Sequence, residues 1–307
     1  MSRAPRLLLA FLLGTGAATV QPASRLMASS APGPAMGQSQ QHATLQPAAA
    51  TSPDIPLNDL PFKDADHQAE QQLLALANQS RKQAGAPPLT LDSGLSQAAR
   101  IHAQAMLEAH QLSHQFSGEP SLPKRLAATT NLQLDQEGEN VALDYDAEHG
   151  HEHLMLSPPH RANLLNSSYN VVGLGVLRAG DRLYIVQDFG HSLPKYSPNE
   201  VKERVAAKVN QTRRQAGERE LKRVDLMGAD EAACSMAQAD KLATSAVHKL
   251  AEHFTLLTYT SLNPEALPNG TAKVLAGRDR HSFSVGACYA RTDTYPTGVY
   301  WVVLSLD

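Results

Sequence analysis

Apolar residues recur with helical spacing in two stretches that begin after Phe62. In the first stretch, from Asp64 to Gly85, they lie at Leu73, Leu76, Ala77 and Ala84. Glycine is favoured just past the end of a helix, and the prolines at 87 and 88 prevent the helix from continuing. The pattern therefore predicts a helix that ends at Gly85.

The second helical pattern follows directly and has Asp92 or Ser93 as its N-cap. One face of this helix carries Leu95, Ala99, His102 and Met106. Because His102 lies on the apolar face, we predict a core histidine with satisfied hydrogen bonds rather than a ligand-binding residue.

Residues 170–190 show a pattern typical of β-structure. Two β-branched runs flank the turn sequence Ala179-Gly180-Asp181, which predicts a hairpin.

The N-terminal 62 residues lack such periodicity. Arg3 and Arg6 precede a short apolar run at 7–13, which is typical of a secretory signal peptide over residues 1–20. This run is shorter than the ~20 residues of a membrane span, and no cysteine follows it to carry a lipid. Residues 21–62 are rich in Ala, Pro, Ser and Gln and predict a disordered linker. We therefore expect a secreted or periplasmic protein with no membrane span. The net charge of −3 gives no reason to expect a nucleic-acid partner.

Three segments recur in the same order. NQSRKQAG at 78–85 returns as NQTRRQAG at 210–217, AARIHAQA at 98–105 as AACSMAQA at 232–239, and VGLGVLR at 172–178 as VGACYAR at 285–291. Repeats in a fixed order predict two related domains, 63–192 and 193–307. At their junction, Ser197, Pro198 and Glu200 match a capping box with proline at the first helical position.

The second copy is shorter in its middle. His114 aligns with His248, but 58 residues separate His114 from Val172 whereas 37 separate His248 from Val285. The missing segment corresponds to EGENVALDYDAEHGHEHLMLSPPHRANLLN at 137–166, where most of the candidate chemistry lies. We expect the second domain to lack any site that this segment builds.

Four histidines lie in that segment. HEHLM does not match the HExxH zinc motif, and we interpret His149, His151 and His153 as a solvated polar face. His160 stands at the start of the helix RANLLN, where its side chain is held at a helix terminus. Glu139 either faces a site, pairs with Arg161 or caps a backbone N–H. Asp188 and His191, at the end of a strand, have no evident partner.

These motifs together resemble the bacterial branch of the CAP superfamily, whose module is also called the SCP domain. The resemblance covers roughly residues 70–190 and rests on the ordered set NQSRKQAG, HAQAM, LSH at 112–114, GEN at 138–140, SPPHRANLL at 157–165 and YNVVGLGV at 169–176. It implies an α+β fold, an α-β-α sandwich, in two tandem copies of which the second is shortened and degenerate.

The resemblance also implies a surface cleft lined by two histidines and two acidic residues. The matching positions are His114, Glu139 and His160, and the second acidic position falls on Ser157, which carries no charge. Asn140, beside Glu139, is expected to satisfy loop backbone. The set His114, Glu139 and His160 suits an open site for a divalent metal such as zinc, which is the cofactor that the resemblance suggests.

Three functions remain open at this point. There is no GxSxG motif and no phosphate-binding loop, so catalysis is unsupported, although a His/Glu pair can activate water in a hydrolase. The resemblance favours a binding module for a small lipid-like ligand or a cell-wall fragment. An envelope module that binds an extracellular protein is the third alternative.

The chain has two cysteines, an even number that permits one disulfide in an exported protein. By the repeat alignment, Cys234 lies on the helix that matches the second predicted helix, and Cys288 lies on a strand at the position of Gly175. Because helix and sheet pack together in the implied architecture, we predict a bond between these two residues.

Overall fold

The computed structural model describes residues 7–9 and 62–307. The predicted linker except Phe62, and all of the predicted signal peptide except Leu7–Leu9, lie outside the described residues. Leu7–Leu9 form strand β1.

The first unit, residues 67–193, is built on a four-stranded sheet of β2 (Thr90–Leu91), β3 (Gln133–Asp144), β4 (Val171–Ala179) and β5 (Arg182–Leu193). The strand order is β2-β4-β5-β3. The pair β2–β4 is parallel, and the pairs β4–β5 and β3–β5 are antiparallel. Strand β3 is thus an edge strand that pairs with β5 alone in this sheet.

Helices cover both faces of this sheet. One face packs on α1 (His67–Gln83), α4 (Ala147–Leu156) and α5 (Pro158–Leu165), and the other on α2 (Ser93–Ala109) and α3 (Leu122–Thr129). Helix α2 lies very close to β4, because a β-carbon on Gly173 would be 2.1 Å from the carbonyl carbon of Leu95. The two layers of helices enclose two apolar cores, one on each side of the sheet.

The predicted boundaries of these elements are confirmed. Helix α1 ends at Gln83, and Gly85 follows in the left-handed conformation with φ of 75°. Asp92 caps α2 by accepting a hydrogen bond from Leu95 N at 2.8 Å. The predicted hairpin is β4–β5, with its turn at Gly180.

The second unit, residues 198–306, contains another sheet with strand order β1-β7-β9-β8-β6. Its strands are β6 (Lys222–Arg223), β7 (Thr255–Ser261), β8 (Ser282–Ala290) and β9 (Val299–Leu306), and β1 runs parallel to β7 at one edge. Its helices are α6 (Pro198–Gln215), α7 (Ala229–Ala239), α8 (Ser245–Ala251) and α9 (Thr271–Leu275). The protein is therefore of mixed α/β class. The capping box predicted at the start of α6 is present.

A disulfide joins Cys234 on α7 to Cys288 on β8, as predicted, with the two Cα atoms 5.1 Å apart. No helix within the described residues has the length and apolar character needed to cross a bilayer.

Candidate functional site

His114 is held against the edge of the first sheet by a carboxylate. The loop after α2 carries His114, and its Nδ1 lies 2.9 Å from Oε1 of Glu139 on β3. The Glu139 side chain is buried, whereas 57% of the His114 side chain is exposed. Because an ionised carboxylate only accepts hydrogen bonds, Nδ1 donates, and the other ring nitrogen of His114 remains for an external group.

Arg125 on α3 secures this pair. Its guanidinium donates to Oε2 of Glu139 and, at 3.2 Å, to the backbone carbonyl of His114. Its Nη1 also lies 3.4 Å from Oε2 of Glu119. The partner of Glu139 is therefore Arg125 and not Arg161, which is exposed and donates to the Met155 carbonyl.

His160 approaches from the opposite layer of helices. It lies in the first turn of α5, and its ring centroid is 6.3 Å from that of His114. Partial burial, together with the nearby His114, lowers the pKa of His160 below its ordinary value of 6.5. The lowered pKa favours the neutral ring, in which one nitrogen accepts hydrogen bonds. We call the surface around His114, Glu139 and His160 the histidine cleft.

Asn140 and Ser157 have structural environments beside this cleft. The fully buried Asn140 amide donates to the His160 carbonyl at 3.1 Å and to Oε1 of Gln187 at 3.2 Å, which holds α5 against the sheet. Ser157 is half-buried between α4 and α5, and its side chain makes no capping hydrogen bond.

His102 is a buried core histidine with both nitrogens hydrogen-bonded, as predicted. Its Nε2 donates to the Ser113 carbonyl at 2.8 Å, and its Nδ1 lies 2.6 Å from Oε1 of Glu119. Glu119 in turn accepts a hydrogen bond from the Phe116 amide at 3.0 Å. These bonds fix both ends of the loop that carries His114.

Asp188 is a buried acidic residue beside the histidine cleft. The sequence did not identify it as part of this site. It lies on β5 directly opposite Glu139 and is fully buried. Neither of its carboxyl oxygens has a hydrogen-bond partner within the described structure. Burial, and next the charge of Glu139, raise the pKa of Asp188 well above its ordinary value of 3.8. In the sequence, Asp188 is recognisable only as a polar residue within an apolar strand. The register between β3 and β5 is what places it opposite Glu139.

The three remaining histidines of the segment lie outside the histidine cleft. His149 and His153 are exposed and pair with Asp146 and Asp144. The prediction that His151 is also solvated was wrong: His151 is buried, and its Nε2 lies 2.8 Å from the Ser80 hydroxyl. The reason is its spacing on α4, where Ala147, His151 and Leu154 share the face that packs on α1.

His191, which had no evident partner in the sequence, pairs with Asp135. The distance from its Nδ1 to Oδ1 of Asp135 is 2.6 Å. This pair lies on the β3–β5 ladder, where His191 is opposite Gln136.

The residues present do not fit a three-ligand metal centre. Both carboxyl oxygens of Glu139 already bind partners within the protein. Among the described residues, no group of three or more His, Cys, Asp or Glu side chains is placed to hold a metal ion. This arrangement therefore disfavours the predicted zinc site at His114, His160 and Glu139, which a zinc titration would test.

The first unit is thus an α/β domain in which two histidines, from a loop and from a helix, lie beside a buried carboxylate of the edge strand β3. Residues 74–189 match the family "CAP: Cysteine-rich secretory protein family". Residues 74–189 are thus a region that matches the CAP family, as the resemblance of residues 70–190 predicted.

Two curated relatives come from Bacillus subtilis strain 168. The uncharacterized membrane protein YlbC is 34% identical over 134 residues, which cover 43% of this chain and 37% of YlbC. The uncharacterized protein YkwD is 30% identical over 112 residues, which cover 36% of this chain and 43% of YkwD. The chain therefore spans about two fifths of the length of either relative.

Among solved structures, an extracellular protein containing an SCP domain from Bacillus anthracis strain Ames is 27% identical. The match covers 41% of each chain with a TM-score of 0.37.

Proposed function

We propose that this chain is an exported binding protein whose histidine cleft holds a small polar fragment of the cell envelope. The observation that carries the proposal is the position of His114, whose ring is fixed by Glu139 on one side and exposed beside His160 on the other. A ring that is already oriented loses little rotamer entropy when a ligand binds.

The chemistry of the cleft favours a ligand with hydrogen-bond donors. His160, whose pKa is lowered, offers a ring nitrogen that accepts, and the exposed His114 ring lies beside it, so the pair matches the hydroxyl and amide groups of a sugar or a peptide. The charge of Glu139 is compensated by Arg125, so the cleft does not strongly repel an anionic fragment. A cell-wall fragment satisfies these features better than a lipid, because the groups that define the cleft are polar.

Binding can be tested on the full chain by following the ring C–H NMR signals of its histidines. A soluble disaccharide-peptide of the cell wall should shift the signals of His114 and His160. The double variant His114→Ala/His160→Ala should abolish binding, whereas the matched double variant His149→Ala/His153→Ala should bind normally.

Two further titrations assign the alternatives. If zinc alone shifts the same two histidines, the cleft is a metal site, and if only a fatty acid does so, the ligand is a lipid. If the wall fragment leaves both signals unchanged, or if the His149/His153 variant loses binding, the proposal is refuted.

We also propose that residues 193–307 are a second, degenerate copy of the same domain. The strand order β7-β9-β8-β6 in the second sheet corresponds to β3-β5-β4-β2 in the first. Hydrogen bonds that stabilise the two units also correspond. Asn78 exchanges two hydrogen bonds with the backbone of Leu89, as Asn210 does with Leu221.

Buried arginines and close glycines support the same correspondence. Arg81 donates to the carbonyls of Leu164, Asn166 and Tyr169, and Arg213 donates to those of Leu275 and Gly277. A β-carbon on Gly286 would lie 2.1 Å from the carbonyl oxygen of Ala229, just as one on Gly173 would meet Leu95.

This correspondence indicates that the second copy has no histidine cleft. From the helix repeat, Met236 takes the place of His102. From the strand registers, Thr258 takes the place of Glu139 and Val303 that of Asp188. We therefore assign ligand binding to the first unit alone.

A further inference from the structure

Helix α3 is a short element with few buried residues. It has eight residues, of which only Arg125 and Leu126 are buried, and no side chain caps its N-terminus. The last carbonyls of any helix have no partner within the helix and need donors from outside. On its own unit, the Thr130 hydroxyl, just past the helix, donates to Oδ1 of Asp92 at 3.0 Å.

Arg291 of the second unit supplies those donors. It follows strand β8, and its guanidinium donates to the carbonyl of Ala127 at 2.7 Å and to that of Thr130 at 2.6 Å. A planar guanidinium can bond two carbonyls at once, and a positive charge is favourable at the C-terminus of a helix. Arg291 is therefore a C-terminal cap for α3 that comes from the other unit.

Two more bonds hold the segment after α3. The Thr297 hydroxyl donates to the Leu134 carbonyl at 3.0 Å in a buried position, and the Gln133 amide donates to the Leu262 carbonyl at 3.2 Å. The second unit thus contacts residues 127–134, which connect α3 to the start of β3. Arg125 and Glu139 lie on either side of this connection.

We propose that Arg291 is a positioning residue for the histidine cleft. By capping α3 it fixes Arg125, which holds the Glu139 carboxylate and the His114 backbone carbonyl. The second unit, which lacks a cleft of its own, then acts as a support for the cleft of the first. This proposal concerns geometry and does not depend on which ligand the cleft binds.

The test compares Arg291→Ala with the wild type in the full chain by amide hydrogen exchange and by the ring NMR signals of His114 and His160. A hydrogen bond from a charged donor is worth enough to expect about 10- to 100-fold faster exchange in α3 when it is lost. The increase should be confined to the loop 113–119, α3 and the start of β3, and the ring signals of His114 should shift.

Two control variants have matched chemistry. Arg278→Ala removes an exposed arginine of the second unit that pairs only with Glu218 at 3.3 Å, and it should leave both measurements unchanged. Asp293→Ala removes an exposed ion pair with Lys124 at the same interface, and exposed pairs contribute little. It should also resemble the wild type.

Arg291→Lys keeps the charge but replaces the planar fork with a single ammonium group. It should keep the Tm near that of the wild type while exchange in α3 is still faster, and it decides the question if Arg291→Ala does not fold. Wild-type exchange in α3 and unshifted His114 signals in Arg291→Lys would overturn the proposal. An equal increase in exchange across β4 and β5 would also overturn it, because Arg291 would then stabilise the whole chain rather than position the cleft.

Discussion

Replacing Asp188 with asparagine removes a proton that the folded protein holds and the unfolded chain releases. Asp188 is fully buried opposite Glu139, without a hydrogen-bond partner among the described residues. Burial and the Glu139 charge raise the pKa of Asp188 well above its ordinary value of 3.8. Asparagine has almost the same shape but carries no charge at any pH.

The pH dependence of stability follows from this difference in pKa. Below about pH 3.8 Asp188 is protonated in both states and contributes no pH dependence. Between that pH and its raised folded pKa, the unfolded state is ionised while the folded state keeps the proton. Stability then decreases as the pH rises, by up to about 1.4 kcal/mol per pH unit for one proton. Above the folded pKa the loss is complete and constant.

Urea unfolding of the wild type and of Asp188→Asn at several pH values between 4 and 8 isolates this effect. Titrating groups far from Asp188 contribute nearly equally to both proteins, so their contributions cancel in the difference. We expect the free energy of unfolding of the variant to increase relative to that of the wild type as the pH rises.

Two results would contradict this reasoning. The first is a difference in free energy that does not change with pH. The second is a variant that becomes relatively less stable at high pH, which would mean that Asp188 is ionised in the folded protein and stabilised by Arg125. A ¹³C NMR titration of the Asp188 carboxyl carbon measures its pKa directly and provides an independent check.

Three further predictions follow from single features of the fold. Cys234→Ser/Cys288→Ser opens a loop with a sequence separation of 54 and should lower the free energy of unfolding by about 4 kcal/mol, and a urea-measured loss below about 1 kcal/mol would contradict the entropic reasoning. Gly173→Ala places a methyl group against the backbone of α2 and should cost about 1–3 kcal/mol or more in thermal unfolding, whereas wild-type stability would show that α2 moves without cost. The His160 ring should titrate below pH 6.5 by NMR, with a midpoint that rises in His114→Ala, and a midpoint at or above 6.5 in the wild type would refute the role of burial.

Features governed by local rules could be predicted from the sequence. Gly85 ends α1 because glycine tolerates the left-handed conformation, and Asp92 begins α2 because its carboxylate caps free amides. The apolar spacing of α2 was enough to predict that His102 is buried. Each of these predictions uses residues within one or two turns of each other.

Features that depend on contacts between distant elements could not be predicted in this way. Arg125 lies on a short helix, and only the packing of α3 over β3 brings it to Glu139. Asp188 needed the register of two strands about 50 residues apart in the sequence. His151 is different, because its helical spacing with Ala147 and Leu154 already indicated a buried position.

If the two units arose by the proposed duplication, comparing them distinguishes residues that stabilise the fold from residues that form the histidine cleft. The buried arginines Arg81 and Arg213 remain in both units because each satisfies backbone carbonyls that would otherwise be unpaired.

Under the proposed duplication, the buried polar groups beneath the histidine cleft are replaced in the second unit. His102, Glu139 and Asp188 correspond to Met236, Thr258 and Val303, none of which carries a charge. Buried charged networks are often no more stable than apolar residues of similar volume, so stability alone does not maintain them. The buried Thr258 hydroxyl has no hydrogen-bond partner in the described structure, as expected where a polar network has lost its other members. The first unit keeps this buried network although it adds little to stability. We infer that the network is kept because it fixes the orientation of the His114 ring.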